Sequence, residues 1–191
     1  MPNIKGTKTE KNLLASFAGE SQARNRYTYF AGIAEKEGYP PIAAIFTETA
    51  DQERTHAKSM FKFLEGGMVE ITASYPAGRL GTTAENLDAS AAGEHEEHTV
   101  LYPKFADMAK AEGFPEVATL YRAVSKAEAF HERRYRALRD QIATGTLYTR
   151  SEAIQWKCMK CGYIHEGKEA PSACPSCKHP QSYFVALDRA W

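Results

Sequence analysis

Apolar residues recur every three or four positions through most of the first 145 residues, the period of amphipathic helices rather than strands. Leu13, Leu14 and Phe17 open one such stripe, which runs to Ile33. Thr7-Lys8-Thr9-Glu10 before it has capping-box spacing, and Gly38 with Pro40-Pro41 marks its end. A second stripe begins at about Pro41, takes in Ile45, Phe46, Met60, Phe61 and Leu64, and stops at Gly66-Gly67. Residues 66–82 hold four glycines and one proline and read as a long connection. A third helix is predicted from Thr82 or Thr83 to Glu112-Gly113, and a fourth from about Pro115 to Gly145. Two short turns around one long connection predict an all-α four-helix bundle with a crossover.

An internal repeat sharpens this reading. Ala34-Glu35-Lys36-Glu37-Gly38-Tyr39-Pro40 is echoed by Ala109-Lys110-Ala111-Glu112-Gly113-Phe114-Pro115, at an offset of 75. Ile42-Ala43 matches Val117-Ala118 at the same offset, whereas Ala18-Gly19-Glu20 matches Ala92-Gly93-Glu94 at 74. One residue is therefore gained between these blocks, and the bundle reads as two copies of one helical hairpin.

The repeat carries carboxylates onto apolar faces. Glu20 lies on or beside the stripe of Leu13, Leu14 and Phe17, and its repeat mate is Glu94. Glu53-Arg54-Thr55-His56 and Glu128-Ala129-Phe130-His131 both read Glu-x-x-His, and positions i and i+3 share a helix face. A single glutamate of this kind would ordinarily be a half-exposed edge residue. The doubled set, one Glu and one Glu-x-x-His per hairpin, is the ligand pattern of ferritin-like dinuclear carboxylate proteins. Burying several carboxylates without cations costs several kcal/mol each, and mixed oxygen and imidazole ligands suit iron or manganese. Glu97, three residues after Glu94, stands where the first repeat has Ala23, and reads either as a solvated charge or as an extra ligand. Tyr27 and Tyr102 share faces with Glu20 and Glu94, as core aromatics or as hydrogen-bond donors. His95 and His98 are assigned to solvent or a neighbouring helix, outside the site.

All four cysteines fall in the tail. Cys158-Met159-Lys160-Cys161 and Cys174-Pro175-Ser176-Cys177 form two C-x-x-C knuckles separated by 12 residues. Four thiolates at this spacing close a tetrahedral site for zinc or a single iron. A structural zinc ribbon is the plainer reading. Gly162 lets the backbone approach sulfur, and a dinuclear site upstream favours an electron-transfer iron. Trp156, Tyr163, Phe184 and Trp191 are candidates for an apolar jacket around it. The domains expected are a bundle at 1–146, a linker at 147–152 and a metal-stapled β/loop domain at 153–191.

Composition narrows the class of function. Lys plus Arg and Asp plus Glu are 24 each, which argues against a basic nucleic-acid binder. No apolar run approaches the about 20 residues that span a bilayer, so no membrane partner is expected. The opening Met1-Pro2-Asn3-Ile4-Lys5-Gly6 has no apolar signal region, so a cytoplasmic protein is expected.

With both metal segments in hand, the chain resembles the rubrerythrin family over nearly its whole length. The resemblance rests on Gly19-Glu20-Ser21-Gln22-Ala23-Arg24-Asn25-Arg26-Tyr27, Asp51-Gln52-Glu53-Arg54-Thr55-His56-Ala57, Gly93-Glu94-His95-Glu96-Glu97, Glu128-Ala129-Phe130-His131-Glu132 and the cysteine tail. It implies a ferritin-like bundle followed by a rubredoxin-like domain, with two non-haem irons and one tetrathiolate iron held by Cys158, Cys161, Cys174 and Cys177. It further implies a peroxidase that reduces hydrogen peroxide to water. Glu53 and Glu128 would bridge the irons, Glu20 would be terminal on one, and Glu94 and His131 would hold the other. Glu97 and His56 would alternate on the first iron, and Tyr27 and Tyr102 would hydrogen-bond the ligand carboxylates. Electrons would come from an NAD(P)H-linked reductase or a rubredoxin-type donor, in a head-to-tail homodimer. Rival readings are a ferroxidase or iron-handling protein, a zinc-ribbon interaction module, and a manganese catalase-like bundle. Setting aside the five glutamates assigned to metal leaves 19 acids against 24 bases, a mildly basic exterior suited to an acidic donor.

Overall fold

A computed structural model describes residues 3–188 of the 191-residue chain. Five α-helices precede a small sheet: α1 (Lys8–Lys36), α2 (Pro40–Phe61), α3 (Thr83–Glu96), α4 (Tyr102–Ala111) and α5 (Pro115–Thr144). A π-helical turn, Glu97–Leu101, joins α3 to α4, so these form one interrupted column and the bundle has four columns. α1 packs along α2, and the α3–α4 column packs along α5. No helix among the described residues is long and apolar enough to cross a membrane.

The third helix, predicted continuous from Thr82 or Thr83 to Glu112, is therefore broken. The reason lies in the repeat. Glu94 keeps offset 74 from Glu20, but Tyr102 stands at offset 75 from Tyr27, so the gained residue falls where the π-turn lies. There the Tyr102 N–H reaches back five residues to the Glu97 carbonyl. Pro103 has no N–H for the carbonyl of His98, and Ser125 Oγ on α5 donates to that oxygen at 3.0 Å. Absorbing the extra residue within one turn keeps both flanks in register with their partners.

The helix ends are tied across the bundle. Thr7 Oγ1 accepts from the Glu10 N–H, while Glu10 bonds the Gly6 N–H rather than completing the box on Thr7. At α3, Thr82 and Glu85 make the full reciprocal box. Glu112, after α4, accepts from the Thr9 N–H at 2.8 Å, and Glu37, after α1, accepts from the Thr83 N–H at 2.9 Å. Each hairpin turn thus caps the first helix of the other hairpin. Two apolar layers fill the bundle, one around Tyr27, Phe30, Phe46, Tyr135 and Leu138 and one around Leu13, Met60, Tyr102, Phe114 and Tyr121.

Gly145, in the left-handed conformation (φ 67°), ends α5. Strands β1 (Thr149–Cys158), β2 (Ile164–Glu169) and β3 (Phe184–Ala186) form an antiparallel sheet ordered β2-β1-β3. The stretch 147–152, expected as a linker, is only partly one: Thr149 already pairs with Glu169, and an irregularity follows before Ile154. Trp156 is fully buried and its indole N–H donates to the Gly167 carbonyl. Phe184 joins it, with Tyr163, Tyr148 and Ile154 at the margin; Trp191, expected in the same jacket, lies outside the described residues. The sheet rests on the bundle end, where Phe184 and Val185 share a crevice with Ile45 and Leu138.

Candidate metal centres

Between the two apolar layers lies a buried band of Glu20, Glu53, Glu94, Glu128 and His131, with His56 partly exposed beside it. Their side chains sort into two groups able to hold a cation: Glu20, Glu53, His56 and Glu128, and Glu53, Glu94, Glu128 and His131. Glu53 and Glu128 belong to both. His56 Nδ1 lies 2.9 Å from Glu128 Oε1, 3.0 Å from Glu53 Oε2 and 3.6 Å from Glu20 Oε2. His131 Nδ1 lies 2.8 Å from Glu128 Oε2, 3.3 Å from Glu53 Oε1 and 3.6 Å from Glu94 Oε2. Each shared carboxylate therefore turns one oxygen to each group, the geometry of a bridging ligand.

The donor set fits a pair of cations. Glu53 Oε1, Glu94 Oε2, both oxygens of Glu128 and His131 Nδ1 are buried without a hydrogen-bond partner among the described residues. His131 Nδ1 and Glu128 Oε2 approach to 2.8 Å without aligning as donor and acceptor, so their lone pairs converge on a shared space. Charge balance points the same way. Burial, reinforced by the Glu53 charge, pushes Glu20 well above the usual carboxylate range and raises Glu94 to about 8. Burial also raises Glu53, but the imidazoles of His131 and His56 outweigh it and hold that carboxyl at about 2. Without cations this many carboxylates stay in one pocket only by retaining protons.

Outer contacts orient the ligands. Tyr27 Oη donates to Glu94 Oε1 at 2.5 Å, and Tyr102 Oη donates to Glu20 Oε1, so each tyrosine crosses to the other hairpin's glutamate. His131 Nε2 donates to Gln52 Oε1 at 2.8 Å, which turns Nδ1 toward the carboxylates. Gln52 is itself braced by Glu48, which accepts from the buried Arg134, while Arg134 also donates to Thr49. Sequence reasoning passed over this chain of Gln52, Glu48 and Arg134. An arginine on the ligand-bearing face of α5, three residues past His131, was the signal available.

Glu97 sits in the π-turn, partly exposed, and belongs to neither group. Burial and the charge of Glu20 raise its carboxyl well above the ordinary range. The extra residue of the π-turn begins at this glutamate. His95 and His98, assigned to solvent or a neighbouring helix, both meet Glu132 of α5.

In the tail, Cys158 and Cys177 lie with sulfurs 3.7 Å apart, and Cys161 and Cys174 with sulfurs 3.6 Å apart. A disulfide would bring sulfurs to about 2.05 Å. Bonds of about 2.3 Å to a central ion put tetrahedral sulfurs about 3.8 Å apart, close to both of these spacings, and the four sulfurs all lie within 4.8 Å of one another. The knuckles match in backbone: Gly162 N–H bonds the Cys158 carbonyl and Lys178 N–H the Cys174 carbonyl, both at 2.9 Å. Gly162 (φ 76°) and Lys178 (φ 65°) both take the left-handed conformation this turn demands. The Tyr163 N–H, bonded to the Cys161 sulfur, holds that thiol down at about 6, in favour of the thiolate that binds metal.

A helical bundle with two carboxylate/imidazole groups sharing Glu53 and Glu128, and an appended four-cysteine group, defines a diiron-carboxylate oxidoreductase of the ferritin-like class. The family model described as Rubrerythrin matches residues 11–139, and the one described as Rubrerythrin, rubredoxin-like domain matches residues 156–185. A rubrerythrin of Porphyromonas gingivalis is 60% identical over 185 residues, covering 97% of this chain and 92% of that protein. One from Nitratidesulfovibrio vulgaris is 52% identical over 191 residues and the full length of both. The solved structure of fully reduced, all-ferrous nigerythrin covers 96% of this chain and 91% of its own, at 31% identity and TM-score 0.64. The chain belongs to the rubrerythrin family, with its diiron carboxylate/His site and its four-cysteine rubredoxin-like iron site.

Proposed function

We propose that this protein is a non-haem diiron peroxidase that reduces hydrogen peroxide to water, H2O2 taking up two electrons and two protons to give two H2O. The observation that supports it most is an asymmetry in a nearly symmetric site. At offset 75, the position matching Gln52 is Ala127, so His131 has an anchor whose counterpart for His56 is missing. Among the described residues His56 Nε2 has no protein partner. At offset 74, the position matching Ala23 is Glu97. Both departures concern the first group: His56 belongs to it, and the charge of its Glu20 is the one felt most by Glu97.

In this reading Glu53 and Glu128 would be shared by the two irons, Glu20 would complete one side, and Glu94 with His131 would hold the other. His56 and Glu97 would be the alternative ligands on the first side, a neutral imidazole suiting a ferrous and a carboxylate a ferric centre. When bound, the iron pair supplies Lewis acidity and two electrons, and the four-thiolate iron passes electrons singly. Tyr27 and Tyr102 keep Glu94 and Glu20 in place through the cycle. Glu97, partly exposed and subject to the charge of Glu20, would be the carboxyl that relays a proton to departing oxygen. Residues 1–146 form the catalytic unit and 153–191 the electron-delivery unit, fed by an NAD(P)H-linked reductase or rubredoxin-type donor, in a cytoplasmic homodimer.

The test is peroxide consumption by the iron-loaded protein with a reductase. Glu97→Ala is expected to keep its iron and fold yet lose at least tenfold in turnover. Unchanged turnover overturns the role of Glu97, and ferrous-iron oxidation without peroxide consumption by the parent overturns the peroxidase reading.

A further inference from the structure

A second cluster of metal-ligating side chains stands outside the diiron band. Glu132 of α5 faces His95 of α3 and His98 of the π-turn across the seam between the two columns. His95 Nδ1 lies 3.1 Å from Glu132 Oε1 and 3.2 Å from Oε2, and His98 Nε2 lies 2.5 Å from Oε2. One ligand atom from each residue falls within 4.8 Å of the other two. Arg136 Nε donates to Glu132 Oε1 at 2.6 Å, and Oε2 is the oxygen that both imidazoles approach without it.

Three features set this group apart from a chance surface ion pair. Two neutral-capable imidazoles converge on one carboxylate, whereas Arg136 already supplies the counter-charge that carboxylate needs. Glu132 and His98 are largely buried while His95 is half exposed, so the cluster is a partly closed site with a mouth. The backbone beneath His98 is fixed by Ser125 Oγ on its carbonyl, holding the π-turn imidazole over α5.

We propose that His95, His98 and Glu132 form a third cation-binding site, for a borderline divalent transition-metal ion such as zinc, cobalt or ferrous iron. Two imidazoles and a carboxylate are the ligand types these ions prefer, and three protein ligands leave coordination positions open to solvent or a transferable ligand. Each member is the chain neighbour of a residue in the diiron reading: His95 follows Glu94, His98 follows Glu97, and Glu132 follows His131. Successive side chains on a helix turn by about 100°, so the same two helix turns present one ligand set inward and another toward the surface. The outer site does not depend on peroxidase activity.

Isothermal titration of the fully iron-loaded protein with Zn2+ tests this, with iron content measured before and after. One additional zinc per chain is expected, with no iron released, and His95→Asn/His98→Asn is expected to weaken its binding at least tenfold. Glu132→Gln and the single change at the half-exposed His95 serve as second variants should the double change unfold the chain. Absence of saturable uptake beyond the iron sites, equal affinity in the folded variants, or uptake matched by iron loss would each overturn the site.

Discussion

Gln52 and Ala127 occupy equivalent places in the two hairpins, and that one difference decides how firmly each imidazole is held. A buried histidine ligand needs its second nitrogen satisfied, or it turns away from its metal. Replacing Gln52 by Leu should leave His131 Nε2 without its acceptor and weaken iron binding at the second position by about 10- to 100-fold. Chelator competition on the purified protein would measure this; retention equal to the parent would show that Gln52 is only a packing residue. Glu-x-x-His spacing made Glu53, His56, Glu128 and His131 readable because i and i+3 meet on any helix. Gln52 was not readable, because the contact that gives it meaning comes from a residue 79 positions away.

Whole elements show how the repeat tolerates an extra residue. The π-turn takes up the gained position between Glu94 and Tyr102, so deleting the exposed Val100 should give a continuous helix rather than a broken one. Tyr102 would still reach Glu20, and the variant is expected to keep its helical circular dichroism and both bundle irons. Loss of either would show that the turn is needed to build the site. The change in offset from 74 to 75 shows that a residue is gained between the repeat blocks, yet it does not say that the helix breaks or which turn absorbs it. Packing of α4 against α5 selects the place, since slipping Ala106 or Ala109 out of the core costs more than one irregular turn.

The caps that tie the hairpins act at this scale too. Hydrogen bonds from the Thr9 hydroxyl and N–H hold the Glu112 carboxyl below its ordinary value. A depressed folded pKa contributes stability that is present above the unfolded value of about 4.3 and is lost as pH falls through the folded pKa. Glu112→Gln is therefore expected to melt below the parent at pH 7. The gap between the two melting temperatures should close on acidification through the carboxylate range, and a gap independent of pH would contradict this origin.

The whole molecule joins a bundle with its own extensive core to a tail that has almost none. Among the described residues of that tail, Trp156, Phe184, Ala170 and Ala186 are the buried apolar ones besides two cysteines, too few to fold about 40 residues unaided. Cys161→Ser should remove the colour of the four-thiolate iron and the ordered near-ultraviolet signal of Trp156. The far-ultraviolet helical signal and the two bundle irons should persist. Loss of the helices would show that the tail's packing on Ile45 and Leu138 is essential to the bundle.

The sequence by itself determined the number of helical columns, the two-hairpin repeat, the candidate carboxylate, imidazole and thiolate donors, and the family. The columns and candidate donors rest on periodicity, on the repeat and on i, i+3 and C-x-x-C spacing, and the family rests on the resemblance of the motifs along the chain. Tertiary structure alone decided that Glu53 and Glu128 each turn one oxygen to either ion group, that Tyr27 and Tyr102 cross to opposite glutamates, and that His131 is anchored while His56 is not. It also decided that His95 and His98, separate from each other's role in any linear reading, meet Glu132. These relations join residues tens of positions apart, and the packing of four columns around a charged layer is what brings them within bonding distance.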